Sequence, residues 1–403
     1  MLTYDQALQH VLETVKPLAP VMQPLPEASG LILAQSVAAP WDMPRCDNSA
    51  MDGFAVAAPL DEASGPLDEA SSPLEIVGAS YAGHPFVGAV ASGQAVRITT
   101  GASIPEGCNS VIPLEDASDQ KTHVALSTPV QHGQHVRHQG EEFKVGETLL
   151  QAGTQLNAGE IGLLACAGVE HVLVYPKPRV AIISSGDELV ELGQTPEPGQ
   201  IINSNLYLLM TRLRECGCLP FALGIGQDNP AALNSLIAEG MKADLLISTG
   251  GVSVGERDQM HNTLAQRGFQ QKFWKVAIKP GKPVLFGALE NKPYFGLPGN
   301  PAAAAATFEL FVKPALNLLR GNQEIRPPKR TGVLTSKVSG GGRRQSFLWC
   351  HLEWIDEEYK VTVPTRQGSG QHRSIQGANA LLSIPIETEQ LLAGEKVEVL
   401  LLE

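Results

Sequence analysis

Between Pro178 and Arg320 the chain repeats one pattern, and that pattern restricts the fold more than any other feature. Arg179–Ser184, Leu219–Ile225 and Asp244–Ser248 are short runs dominated by apolar residues. Runs of this length bounded by turn residues are expected to be buried strands. Helix-length segments separate them, as at 205–215, 230–239 and 261–267. Parallel strands need a long crossover, and a helix supplies it, so the region predicts a parallel α/β sheet.

With 403 residues the chain exceeds what one hydrophobic core supports, and two to four domains are expected. At the start, Thr3 followed by Gln6 reads as a capping box, and Ala7, Leu8, Val11, Leu12 and Val15 mark one face of a helix. From Trp41 to Leu150 the apolar runs shorten and turn signals multiply, with a polar stretch at 61–74 expected as an exposed loop. Pro327-Pro328 punctuates the chain again. The remainder alternates short apolar runs with Gly-rich turns, which predicts a small all-β domain.

A net charge of -12 argues against general binding to nucleic acid or anionic membrane, because phosphate surfaces favour a basic counter-patch. Any anion site must be local. The six cysteines are scattered, and Cys216-Gly-Cys218 has no second pair at zinc-finger spacing. Neither a basic, apolar leader nor a bilayer-length apolar run is seen, so a cytoplasmic location is expected.

In open α/β sheets ligands lie beyond the carboxyl ends of the strands. Here those ends carry Ser184-Ser-Gly-Asp187-Glu188, then Gly226-Gln-Asp228, then Ser248-Thr-Gly-Gly-Val-Ser253-Val-Gly-Glu-Arg-Asp258. A fourth, Gly296-Leu-Pro298-Gly-Asn-Pro301, precedes the alanine run 302–306, whose helix should turn its N-terminal amides toward the same rim and suit an anion. Between the third and fourth ends, Lys275, Lys279 and Lys282 stand within eight residues. Carboxylates for a hard cation such as Mg²⁺, lysines for phosphate and glycine-rich turns together point to a nucleotide-like phosphoester.

Six strings then carry a resemblance: Asp47–Ala55; Arg97–Ala102 with Pro105–Gly107; Ser184–Leu189; Ser248–Gly255; Lys279–Pro283; and Gly296–Pro301. In this order they resemble the MoeA/gephyrin-E family of molybdopterin molybdotransferases over nearly the whole chain. The resemblance implies a multidomain α/β plus β architecture. Its parts are a discontinuous helical dimerisation domain (1–44 and 143–177), a β-rich lobe (45–142), a central parallel α/β domain of MogA/MoaB type (178–326), and a C-terminal β-barrel (327–403).

The resemblance also implies a homodimer with Asp52, Thr100 and Glu142 contributed by the partner chain. Asp228 and Asp258 are carried over as Mg²⁺ ligands, with Glu188 and Asp187 as further ligands or water orienters. Lys275, Lys279 and Lys282 are assigned to the phosphates or the incoming oxyanion. Thr249, Gly250, Gly251, Ser253, Pro283, Pro298, Gly299, Asn300, Pro301 and Ser369 are expected to cradle the substrate. The implied reaction exchanges AMP for molybdenum on adenylylated molybdopterin, using molybdate; contacts with the adenylyltransferase and acceptor molybdoenzymes are also implied.

The chain departs from the family pattern at three places. Ala302-Ala303 replaces Val-Ser, Trp349 replaces an arginine, and Glu142 stands where Asp is common. The first two remove donors of the kind that hold tetrahedral oxyanions, with Arg344, Arg366 and Arg373 as replacements. Two other readings follow: a paralogue that binds or hydrolyses adenylylated pterin without efficient molybdate insertion, and a dimeric scaffold.

Overall fold

The computed structural model describes residues 1–59, 67–68, 73–227, 229–251, 259–340 and 342–402. Most of the predicted loop at 61–74 lies outside them; Leu74 is buried and opens the strand Leu74–Ser80.

Helix α1, Tyr4–Thr14, begins with the anticipated capping box: the Gln6 amide donates to Thr3 Oγ1 at 3.3 Å and Gln6 Oε1 accepts from the Thr3 amide at 3.0 Å. Its buried face, Tyr4, Ala7, Leu8 and Val11, packs into the core of the α/β region. The Tyr4 ring lies 5.7 Å from Phe311 and 5.2 Å from Phe347. By packing, this helix therefore joins the α/β and C-terminal regions, whereas the sequence boundaries group residues 1–44 together. The rest of that discontinuous piece holds helix α2, Ala158–Cys166, beside a three-stranded sheet of Val21–Pro24, His171–Tyr175 and Ile32–Leu33. The β-rich lobe is built on a six-stranded sheet running from Gly53–Val56 to His123–Leu126 in sequence.

The α/β region contains strands β1 (Arg179–Ser185), β2 (Leu219–Gly226), β3 (Leu245–Thr249), β4 (Gln270–Trp274), β5 (Leu285–Leu289) and β6 (Lys292–Leu297), in the order β2-β1-β3-β6-β5-β4. Pairings β1 with β2, β1 with β3 and β3 with β6 are parallel. Alternation along β1 explains the two-sided core. Val180 and Ile182 face helices α1, α3 (Ser204–Glu215), α6 (Pro301–Thr307) and α7 (Lys313–Leu319), while Ala181 and Ile183 face α4 (Pro230–Gly240) and α5 (Gln259–Gln266).

The sheet is not parallel throughout: β5 runs antiparallel to both β6 and β4. The cause is a two-residue turn at Glu290 and Asn291, both with positive φ (50° and 62°), as a tight hairpin requires. Helices α6 and α7 are joined through a π-helical turn, Phe308–Val312. The whole segment Pro301–Leu319 is long and apolar enough to cross a membrane, yet 83% of its apolar window is buried as core.

Lys329–Leu334, Gln345–Ile355, Glu358–Thr362, Ala380–Ile384 and Lys396–Leu401 close into a five-stranded barrel. Closure rests on the long strand Gln345–Ile355. Its first half pairs with Ala380–Ile384 and its second half with Glu358–Thr362. Inward residues such as Leu352, Val361 and Val399 fill the barrel, while Phe347, Trp349, Leu381 and Leu400 join the α/β core.

Candidate active site

A cleft of about 620 Å³ opens at the carboxyl ends of β1, β3 and β6. This is within the ordinary size of a small-molecule site, roughly 300–1,000 Å³. Of the residues singled out in the sequence, Glu188, Thr249, Gly250, Gly251, Pro283, Pro298, Gly299, Asn300 and Pro301 line it. The turns after β3 and β6 touch: the Gly250 amide donates to the Leu297 carbonyl at 3.1 Å. Gly250 is fixed as glycine by two facts. Its φ is +75°, and a Cβ there would lie 2.2 Å from the Ser185 carbonyl oxygen.

The barrel supplies the opposite wall. The Asn300 side-chain amide donates to Ser369 Oγ at 3.2 Å, Gly370 lines the cleft, and His372 Nε2 meets Ser204 Oγ at 2.9 Å. Ser369 thus joins the site through Asn300. Sequence reasoning missed Asn203, Ser204, Asn205 and His372, all of which line the cleft.

The helix amides expected to cradle an anion are already used. Pro301 has no N–H, the Ala302 amide donates to the Ser369 carbonyl at 2.9 Å, and those of Ala303 and Ala304 donate to the Asn300 carbonyl at 3.1 and 2.8 Å. This corrects the expectation that the helix start is the anion site; its donors hold the barrel loop and close the first turn.

The three lysines do not line the cleft, although Pro283 beside them does. Lys275 Nζ lies 4.0 Å from the centroid of the Trp274 ring, a cation–π contact, and Lys279 and Lys282 are exposed. Arg344 donates to the Ile278 carbonyl at 3.5 Å, which puts it beside Lys279; Arg366 and Arg373 are exposed. Trp349 is 3% exposed and its indole N–H points to the Ala302 carbonyl at 3.4 Å. Two of the departures from the family pattern are therefore neighbours: Trp349, where an arginine is expected, meets the carbonyl of Ala302, next to the Ala303 that stands where a hydroxyl is expected.

Asp52 and Thr100 meet on the β-rich lobe. One Asp52 oxygen accepts from the Thr100 amide at 2.6 Å and from its hydroxyl at 3.0 Å. These two bonds, the main-chain one first, hold the Asp52 carboxyl below its ordinary pKa. Glu142 is exposed, and none of the three lines this chain's cleft.

Of the predicted cation ligands, Asp228 and Asp258 lie outside the described residues, as does Ser253. Glu188 lines the cleft with its carboxylate folded toward Gly186, where a Cβ would lie 2.5 Å from Oε2. Asp187 is exposed and does not line the cleft. An oxygen-only donor on the rim suits a hard cation. Among the described residues no three His, Cys, Asp or Glu side chains converge as a metal cluster.

A multidomain protein with its cleft at the ends of parallel strands and a barrel as the far wall defines an architecture that comparison resolves. Residues 2–168 match the MoeA N-terminal region (domain I and II), 181–318 a probable molybdopterin binding domain, and 331–402 the MoeA C-terminal region (domain IV). A molybdopterin molybdenumtransferase from Nostoc sp. is 37% identical over 93% of this chain and 86% of its own length. One from Haemophilus influenzae is 36% identical over 99% of this chain and 98% of its own. A molybdopterin biosynthesis MoeA protein from Pyrococcus horikosii superposes with a TM-score of 0.85 at 30% identity, over 100% of this chain and 99% of the other. The chain belongs to the MoeA family of molybdopterin molybdenumtransferases, and its role is that of a transferase in molybdenum cofactor biosynthesis.

Proposed function

We propose that the cleft binds adenylylated molybdopterin and passes molybdenum from molybdate to the dithiolene with release of AMP. The observation that supports this reading is the single cleft in which Glu188, the Thr249–Gly251 turn and the Pro298–Pro301 turn converge. These groups would bind and orient the substrate, and the barrel loop that holds Ser369 and His372 would keep water from it. Glu188, with Asp228 and Asp258, would hold Mg²⁺, whose chemistry is to neutralise charge on the phosphoanhydride. Lys279, Lys282 and Arg344 would supply positive charge at the molybdate side, Lys275 serving the phosphates. We place Asp52, Thr100 and Glu142 in the second subunit of a homodimer, facing this cleft. A cytoplasmic location and contacts with the adenylyltransferase and acceptor molybdoenzymes complete the reading.

The deciding experiment is single-turnover conversion of adenylylated molybdopterin with Mg²⁺, with and without molybdate. AMP release and molybdenum incorporation are followed together for the wild type and Asp228→Ala. Coupled release and incorporation, both lost in the variant, is the expected result. AMP release that ignores molybdate would instead favour a hydrolase.

A further inference from the structure

Two asparagines on the cleft carry polar atoms for which the protein offers no partner. Asn203 is 1% exposed and both Nδ2 and Oδ1 lack a hydrogen bond. Asn205 is 8% exposed; its Nδ2 donates to the Gly299 carbonyl at 2.7 Å, but its Oδ1 has no partner. Buried side-chain polar atoms almost always find a partner, so three orphans on one wall need a reason.

Helix capping is not that reason. At the start of α4, Asn229 Oδ1 accepts from the Ala231 amide at 2.9 Å. Asn203 occupies the same position before α3 and makes no such bond. Its backbone is nevertheless fixed, because its amide donates to the Val190 carbonyl at 3.0 Å. The backbone is held in place and no bond restrains the carboxamide.

The orphans count as one donor group, Asn203 Nδ2, and two acceptors, Asn203 Oδ1 and Asn205 Oδ1. A 2-amino-4-oxopyrimidine edge is their complement, since it offers two donors (the ring N–H and the 2-amino group) and one acceptor (the 4-oxo group). Adenine presents one donor, the 6-amino group, and one acceptor on either of its hydrogen-bonding edges, and would leave one of the two protein acceptors unpaired.

We propose that Asn203 and Asn205 form the recognition edge for the 2-amino-4-oxo ring of the pterin, the Asn203 carboxamide turning to the cleft surface as the ring enters. This rests on the reading that the cleft binds an adenylylated pterin, and it assigns the pterin half, not the adenine half, to the wall formed by α3. Guanine carries the same edge, so the pocket should discriminate guanine from adenine as well.

The test uses the full-length protein with three probes, pterin, GMP and AMP, titrated calorimetrically. Wild type should prefer pterin and GMP to AMP. Asn203→Leu, close in shape but apolar, and Asn203→Asp, which removes the donor, should each weaken pterin and GMP by about tenfold or more and leave AMP unchanged. Because an unpaired buried amide is removed, Asn203→Leu should melt no lower than wild type. Equal losses for all three probes, unchanged pterin binding, or a large fall in melting temperature in both variants would overturn the assignment. Single-turnover AMP release is measured alongside. Wild-type turnover without pterin preference sinks the inference alone, whereas absence of turnover sinks the functional reading beneath it.

Discussion

The active-site cleft and a second cavity make opposite uses of polar side chains. The second, about 470 Å³, lies where α3, α7, the 322–328 linker and the barrel meet. Three of its cationic side chains are held by the protein. Arg212 Nε donates to Glu309 Oε1 at 2.8 Å and its NH2 to the Leu402 carbonyl at 3.0 Å; Lys313 Nζ donates to the same carbonyl at 2.6 Å; Arg320 donates to the Cys216 and Gly30 carbonyls. None of the buried unpartnered side-chain atoms found among the described residues lies on this cavity, whereas Asn203 and Asn205 lie on the cleft. Size alone does not separate the two. Pairing does: a closed network fastens domains together, and open valences await a ligand.

The sharpest way to break this contrast is to open the closed network. Glu309 is 3% exposed, and burial pushes its carboxyl above the usual range against the pull of Arg212 and Lys313. With Arg212 gone, Glu309 stays buried with only Lys313, 3.7 Å away, to offset it. Arg212→Met should therefore destabilise the fold by about 3–5 kcal/mol in denaturant unfolding, while ligand affinity of the folded fraction stays unchanged. A loss of ligand affinity with little loss of stability would assign the second cavity to binding instead.

A smaller but localised effect is expected in the cleft. Gly250→Ala adds a Cβ at positive φ against the Ser185 carbonyl, so the turn must shift. We expect a stability cost of about 1–3 kcal/mol. Turnover should fall by more than the stability change explains, because the Thr249–Gly251 turn lines the site. Normal single-turnover rates in this variant would remove that turn from substrate binding.

How far these two regions are legible in sequence follows from how local their signals are. The Thr3–Gln6 box and the apolar runs of β1 and β3 are read correctly because each is a short-range pattern. Asn203, Ser204 and Asn205 are missed because the strand before them, Ile201–Ile202, is two residues long and gives no period to detect. Two asparagines flanking a serine ahead of an apolar helix are the only cue, and they read as an ordinary cap. His372 reaches Ser204 from 168 positions away, so nothing local announces it. The antiparallel β5 is hidden for a different reason: its turn carries Glu290 and Asn291 at positive φ, without the glycine that marks such hairpins. The Ala302-Ala303 and Trp349 changes look independent in sequence, and only the approach of the Trp349 indole to the Ala302 carbonyl, next to Ala303, brings them together.

The barrel loop offers a finer test of the cleft wall. Ser204→Ala removes the bond to His372 at an exposed position, where a hydrogen bond contributes about 0.5–1.5 kcal/mol. The expected outcome is a rise of a few-fold in KM with kcat nearly unchanged. An unchanged KM would mean that the loop holds its place through the bonds of Ser369 to Asn300 and Ala302.

The smallest effect concerns Asp52, which is paired like the second cavity yet fully open to solvent. Its pKa is lowered first by the Thr100 main-chain N–H and then by the Thr100 hydroxyl. The stability linked to this shift is present above the unfolded-state value and is lost as pH falls through the lowered one. Thr100→Val deletes only the second donor. Asp52, followed by NMR titration, should then rise in pKa and still remain below an ordinary aspartate, because the stronger bond is to backbone and survives the substitution. A return to the ordinary value would show that the hydroxyl, not the turn, fixes this carboxylate, and would make Thr100 its positioning residue rather than a bystander on the lobe.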